Sequence, residues 1–440
     1  MITKIKRIFI ISLILALPML VSCKSSPKQV VPPVKKTSLK VNLECVVPFD
    51  DLKKKEAFKD FEADMKTTFP DYDIHLTFVK GDTNAYNTKI KVMMYSDTPP
   101  DIFYSGDEDF TSELSASSII KPLEKNLKDM DYFNTVIPSA KLAGDAGHIF
   151  AVPIDEAYYS IMLINTEIFS QNGVTIPSNF EELKGAVKQF NAKGITPIAI
   201  SGKSGTYLYN MLEGFACTID NIITSKIISG KDTFSGEIFK QAATAVNQLI
   251  ELDAFEEEAE NVSEEEAANL FYSSKAAIYS TTSDKLNMAS GKLKGKAAIL
   301  YYPSPGKPDQ SVLNDIVSGG IKKDSGLVVS SSTSYSSEAA KVAVEMSKYY
   351  NKYLYEKEGN SSIIYNTDNT DFKTSLVMNP LLGELLMNVK QEGKVNTGLF
   401  NNNISAAKEK TIKEASEGFI TGILSVSDYL KEMDIAIKSK

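Results

Sequence analysis

The sequence predicts an α/β protein of more than one lobe, and three observations carry that expectation. At 440 residues the chain exceeds what one hydrophobic core usually serves, so two or three domains or lobes are expected. Its folded part opens with apolar runs of period two that alternate with apolar stripes of helical period. Such a β-α-β-α-β order gives a parallel sheet with right-handed crossovers. The same alternation restarts near residue 149 with a new set of strands.

In the opening strand, "LKVNLECVV", Leu39, Val41, Leu43, Cys45 and Val47 alternate, and Pro48-Phe49-Asp50-Asp51 breaks the run. The next helix carries Phe58, Phe61 and Met65 on one face and stops at Phe69-Pro70-Asp71. Ile74, Leu76 and Phe78 mark the second strand, which ends in Lys80-Gly81-Asp82-Thr83. Tyr86, Ile90 and Met93 stripe the second helix. Ile102-Phe103-Tyr104 then reads as a buried strand that drops into Ser105-Gly106-Asp107-Glu108. Ligands of open parallel sheets sit beyond the carboxyl ends of the strands. Asp50, Asp82 and the tip Ser105, Asp107 and Glu108 are therefore expected on one rim.

The stretch 149–165, "IFAVPIDEAYYSIMLIN", reads as two strands joined by Asp155-Glu156. Pro177-Ser178-Asn179 introduces a helix in which either Ser178 or Asn179 is the cap, each with a Glu three residues on, and Leu183, Val187 and Phe190 form the core stripe. Strands are expected at 195–201, 276–281, 297–303 and 326–330. Helices are expected over much of 205–275, over 336–354 and over most of 380–440. The acidic run 256–270 reads as a solvated surface with a capping box from Ser263 to Glu266.

The formal net charge of −8 argues against nucleic acid, whose phosphates attract clustered Lys and Arg. Lys4, Lys6 and Arg7 precede an apolar run, 8–21, that is short for a membrane span. It ends in Leu20-Val21-Ser22-Cys23, which resembles the bacterial lipobox, so residues 1–22 are read as a lipoprotein signal peptide and Cys23 as the lipidated residue. Residues 23–37, rich in Pro, Lys and Ser, read as a flexible tether. Cys45 and Cys217 sit in apolar stretches and read as buried thiols, a disulfide being the alternative. The only histidines, His75 and His148, have no ligand-spaced neighbours, so no metal and no cofactor are expected.

The order of motifs resembles that of the extracellular solute-binding proteins of ABC importers, the group that includes maltose-binding protein. "FKDFEADMKTTFPDYDIHLTFV", "YSDTPPDIFYSGDE", "KPLEKNL", the block 147–201, "LFYSSKAAIYSTTS", "YYPSPG", "SSEAAKVAVEMSKYY" and "GILSVSDYLKEMDIAIK" follow one another as in that family. The resemblance implies a two-lobe periplasmic-binding-protein-like fold, each lobe a mainly parallel sheet flanked by helices, joined by a hinge. The amino-terminal lobe would comprise 38–155 plus 323–365 and the carboxy-terminal lobe 156–322 plus 366–440. Phe180, Ile164 and Ser274 depart from the family pattern. The chain also has no Trp, on which sugar-binding members usually stack a pyranose, so Tyr or Phe must do that work or the ligand is not an ordinary sugar.

The resemblance implies ligand contacts from several places in the chain. Asp155 and Glu156 lie at the first crossing. Tyr158 or Tyr159 follows; the two alternate faces, so at most one looks at the ligand. Tyr207 and Tyr209 sit where sugar binders place an aromatic platform. Ser280 and Thr281 lie in the "STTS" run, and Gly319 and Gly320 beside the second crossing, where glycine permits close approach of backbone. The expected function is capture of a small polar solute, a sugar foremost, and its delivery to ABC permease subunits by a monomer facing the extracytoplasmic side of a bacterial membrane. The alternatives are a lipid-anchored glycoside-acting enzyme, which would need two carboxylates at a set separation, and an adhesin or sensor that kept the fold. No nucleophile or metal motif supports turnover.

Overall fold

The computed structural model describes residues 40–48, 52–96, 98–106, 108–141, 147–306, 313–360, 362–373, 376–402 and 404–439. The signal peptide, Cys23, the tether, Asp50, Asp107 and the side chain of Glu108 lie outside the described residues.

The described chain forms two sheets. The first contains β1 (Val41–Pro48), β2 (Tyr72–Val79), β3 (Ile102–Ser105), β4 (Ala151–Val152) and β10 (Gly326–Val329), in the order β2-β1-β3-β10-β4. β1 pairs in parallel with both β2 and β3, as the alternating sequence requires. β10 runs antiparallel to β3 and β4. The second sheet contains β5 (Tyr158–Asn165), β6 (Thr196–Ala199), β7 (Ala276–Thr282), β8 (Ala297–Leu300), β9 (Val317–Gly320) and β11 (Val395–Thr397). Its order is β11-β9-β5-β7-β6, with β8 also on β5. β5 is antiparallel to β7, β8 and β9, while β6 follows β7 and β11 follows β9 in parallel. Short β9 and β11 were not legible in the sequence: "VSGG" and "VNT" have no apolar alternation.

Three apolar clusters cover the sheet faces. One includes Leu43, Cys45 and Val47 of β1 and Phe58, Phe61 and Met65 of the helix Leu52–Thr68, and continues through Ile154, Ala157 and Ile363 to Tyr279 of β7. A second packs Leu183, Val187 and Phe190 of the helix Phe180–Asn191 with Leu208, Leu212 and Phe215 of the helix Thr206–Cys217. A third, with Val46, Tyr86, Ile90 and Phe103, fills the other face of the first sheet. The period-two side chains of β1 thus divide between two clusters, which buries both faces of that strand. Cys45 and Cys217 are buried free thiols, and burial raises both pKa values.

Local signals explain the helix starts. Asn179, not Ser178, caps the helix Phe180–Asn191: its Oδ1 accepts the Glu182 amide at 2.9 Å, and Glu182 in turn accepts from the amide and hydroxyl of Ser178 at 2.8 Å. Ser263 and Glu266 form the expected capping box at the head of the helix Glu264–Tyr272.

Candidate ligand cleft

The strand directions define two rims. In the first sheet the carboxyl ends of β1, β2, β3 and β4 lie on the same edge as the amino end of β10. In the second, the carboxyl ends of β6, β7, β8, β9 and β11 share an edge with the amino end of β5. The chain leaves the first rim after Val152 and enters the second at Tyr158. It leaves the second after Gly320 and re-enters the first at Gly326. Both short crossings therefore tie rim to rim. A third strand of chain, after the helix Ser336–Lys357, runs beside them: Ala157 donates its amide to Ser362 at 2.9 Å, and Val136 bridges Tyr365.

On the first rim the two described candidate acids, Asp82 and Asp155, are already engaged. Asp82 is the cap of the helix Thr83–Met94, its Oδ1 accepting the Ala85 amide at 2.9 Å. Asp155 forms an ion pair with Lys54 and accepts the Tyr104 hydroxyl at 2.7 Å. The Lys54 ammonium also lies 5.0 Å from the Tyr104 ring centroid and 5.9 Å from that of Tyr350, so two rings and a carboxylate hold it. Ser105 was expected to face the cleft. It is 0 % exposed, and its hydroxyl meets that of Thr111 at 2.7 Å, which in turn donates to the Asp324 carbonyl at 2.8 Å. β3 and the second crossing are thereby stitched together.

Glu156 faces the other way. Its carboxylate accepts from Asn360 at 2.8 Å and from the Tyr158 hydroxyl at 3.1 Å. Burial raises its pKa, against the Tyr158 hydrogen bond and together with the neighbouring charge of Asp155. The two acids of the first crossing are thus divided, one bound to the first sheet's helix and the other to the third crossing and the second sheet.

The second rim is built around tyrosines. Tyr158, 40 % exposed, opens β5, and Tyr159 beside it is buried, as their alternation demands. Tyr207 lies in the first turn of the helix Thr206–Cys217, and burial first, then the nearby Glu264, raises its pKa. Glu264 pairs with Lys285 at 2.5 Å, and Lys285 with Asp284 at 2.7 Å. Burial disfavours the charge on Lys285, but the hydrogen bonds and charges of Asp284 and Glu264 outweigh it and raise its pKa. Tyr209 does not reach the surface; it is 0 % exposed and donates to Glu213 at 3.2 Å. Ser280 and Thr281 are 1 % exposed because β7 is covered on both faces until its last residue. The polar groups at that strand end are instead Thr282, which donates to Asp284 at 2.6 Å, and Asp284 itself. Glu256 closes the end of β6 by accepting the Ile200 amide with both oxygens, at 3.2 and 3.1 Å, and burial pushes its pKa up to about 7.

Gly319 and Gly320 have φ of +140° and +127°. A Cβ on Gly319 would stand 2.2 Å from the Tyr158 carbonyl oxygen, so the two backbones meet there only because the side chain is absent.

Lys54, Glu264, Asp284 and Lys285 were missed by sequence reasoning. Lys285 follows "STTSD" directly, so its place at a strand end was available. Lys54 lies in a Lys-rich helix start that gives no signal of its own. Among the described residues no group of acidic, His or Cys side chains could hold a metal ion, and no helix is long and apolar enough to cross a membrane.

The chain belongs to the family of bacterial extracellular solute-binding proteins, whose sequence model matches residues 51–360. No curated protein matches it. Solved structures share its fold over nearly its whole length. One, from work on xylan utilization by the thermophilic bacterium Caldanaerobius polysaccharolyticus, is 22 % identical and has a TM-score of 0.67, covering 90 % of this chain and 100 % of its own. The bacterial solute receptor AcbH, described as having an exclusive preference for β-D-galactopyranose, is 14 % identical at a TM-score of 0.69, covering 91 % and 98 %. The GacH receptor of Streptomyces glaucescens, solved unliganded and with acarbose, is 16 % identical at 0.61, covering 91 % and 98 %.

Proposed function

We propose that the protein is a lipid-anchored receptor that captures a neutral polar solute, a sugar or oligosaccharide, between the two rims and delivers it to an ABC importer. The observation that carries this reading is the rim-to-rim connection: both short crossings join strand ends at which α/β sheets bind ligands. A ligand that touches both rims only when they approach favours the closed state. The lobes would move about 153–157, 321–325 and the segment near Tyr365-Asn366.

Tyr158 and Tyr207 supply aromatic faces where a pyranose ring would otherwise stack on Trp, and the Tyr158 hydroxyl is fixed by the Glu156 carboxylate. Asp284 and Glu156 supply acceptors for hydroxyl groups. An acidic rim disfavours an anionic solute. Saccharide names attached to the neighbouring structures support the same ligand class. Anchoring rests on Cys23 and the lipobox around it, which would place the protein on the extracytoplasmic face of the membrane.

The test is a thermal-shift screen of residues 38–440 against xylo-oligosaccharides, chito-oligosaccharides, galactosides, malto-oligosaccharides and, as controls, amino acids and peptides. A true ligand at 100 times its dissociation constant adds about 2.7 kcal/mol of stability. Stabilisation by peptides alone would refute the saccharide reading. For anchoring, a palmitate analogue should label the wild-type chain in cells and not Cys23→Ala; a labelled variant would remove the lipobox assignment.

A further inference from the structure

Among the described residues, the most enclosed acid of the second lobe is one that ligand binding, as proposed, does not use. Glu213 lies in the middle of the helix Thr206–Cys217 and is 2 % exposed. Its carboxylate accepts four hydrogen bonds: from the Tyr209 hydroxyl at 3.2 Å, the Thr224 hydroxyl at 2.7 Å, the Leu399 amide at 2.8 Å and the Ser318 hydroxyl at 2.6 Å. Asn396 of β11 completes the set. Its amide nitrogen donates to Thr224 Oγ1 and to Ser318 Oγ, both at 2.9 Å.

That pairing fixes the direction of every bond. Asn396 spends both of its amide protons on the two hydroxyls, so each hydroxyl is an acceptor toward Asn396 and must turn its own proton to Glu213. Glu213 then has four donors and needs no proton of its own. Burial raises its pKa, while the bonds from Ser318, Thr224, Leu399 and Tyr209 act against that rise.

The groups held by this carboxylate are those that set the second crossing. Ser318 immediately precedes Gly319-Gly320. Leu399 follows Gly398, whose amide donates to the Gly319 carbonyl at 3.3 Å, and a Cβ on Gly398 would stand 3.2 Å from Glu213 Oε2 and 3.3 Å from Gly319 Cα. Asn401, two residues on, donates to the Gly320 carbonyl at 3.1 Å and accepts the Lys323 amide at 2.9 Å.

We infer that Glu213 is a positioning residue that, through Ser318 and Leu399, fixes the backbone of Gly319-Gly320 and the path of the second crossing, and that it does so by the donor–acceptor polarity of its pairing with Asn396. Its bearing on the cleft rests on the proposed binding function; its effect on the crossing does not.

The experiment is amide hydrogen exchange on the ligand-free folded chain, comparing wild type, Glu213→Gln, Asn396→Asp and the double variant E213Q/N396D. Glu213→Gln sets an amide NH2 against inward-pointing donors. Exchange over 317–323 and 397–402 should speed up by about tenfold or more, the factor for one lost hydrogen bond of about 1.4 kcal/mol. Exchange in the helix Leu52–Thr68 should not change. Asn396→Asp alone buries two carboxylates together and should be worse. The double variant repairs one arm: the amide introduced at position 213 donates to Ser318, and Ser318 turns its proton to the carboxylate introduced at position 396. Thr224, with one hydroxyl proton, is left between two acceptors, so only exchange over 317–320, which hangs on Ser318, should slow relative to Glu213→Gln. Wild-type exchange in Glu213→Gln would overturn the inference. So would a double variant no slower than Glu213→Gln over 317–320. If Glu213→Gln fails to fold, Ser318→Ala, which removes one donor and leaves the carboxylate in place, is measured instead, and unchanged exchange over 317–323 in that variant refutes the proposal.

Discussion

The two rims of this molecule solve the same problem with different chemistry. The first is held by charge near solvent: Asp82 caps a helix, and Asp155 pairs with Lys54 under the Tyr104 ring. The second is held by buried hydrogen bonds, with Glu213 taking four donors and Gly319 lying against the Tyr158 carbonyl. Asp155, 35 % exposed, keeps water within reach of its ion pair with Lys54, whereas a fully buried network is costly to open. The first rim is thus the more adjustable of the two. The second is a fixed wall on which Tyr158 and Tyr207 are presented.

This contrast can be broken most severely at Gly319. Gly319→Ala combines a positive φ with a Cβ 2.2 Å from a carbonyl oxygen. It should cost about 3 kcal/mol or more of stability, visible as a lower urea midpoint. An unchanged midpoint would mean that the wall is not rigid.

A second test uses pH. The folded pKa of Glu256 is about 7, above its ordinary value of 4.5. Between those values the folded chain holds a proton that the unfolded chain has released, so this group makes stability fall as pH rises through the window. Glu256→Gln keeps an acceptor for the Ile200 amide and removes the dependence. At pH 8 the variant should be more stable than wild type by about 2–3 kcal/mol, and at pH 4 the two should coincide. Equal stability at both pH values would show that Glu256 is solvated.

Smaller effects sharpen the comparison. Tyr158→Ala should weaken binding of the saccharide found by the thermal-shift screen by about 1–2 kcal/mol, in line with loss of an aromatic contact. It should move the stability of the empty protein by under about 0.5 kcal/mol. Asp82→Ala should do the reverse. It removes a helix cap worth about 1 kcal/mol and leaves affinity unchanged. A loss of affinity in isothermal titration of Asp82→Ala would return that carboxylate to the ligand site.

The sequence disclosed the frame better than the site. β1, β2 and β3 and their helices were legible because a strand with alternating Leu43, Cys45 and Val47 and a helix with Phe58, Phe61 and Met65 each bury one predictable face. The capping box at Ser263 was legible because it is local. β9 and β11 were not: Ser318 is tied to Glu213, and Asn396 to Thr224 and Ser318, by bonds between residues far apart in sequence. Ser105, Ser280 and Thr281 looked like rim residues by position along a strand. Their burial depends on neighbours that only the folded chain supplies, such as Thr111 for Ser105. Asp155 lies between β4 and β5, and its partner Lys54 comes from the opening helix, a pairing that no spacing encodes.

Small-angle scattering of residues 38–440, with and without the saccharide that most stabilises the chain, tests the central claim most directly. If the rims close on ligand about the crossings, the radius of gyration falls on saturation and the Tyr158→Ala variant needs more ligand to reach the same compact state. An unchanged scattering profile at saturating ligand would contradict a cleft that closes between the two sheets.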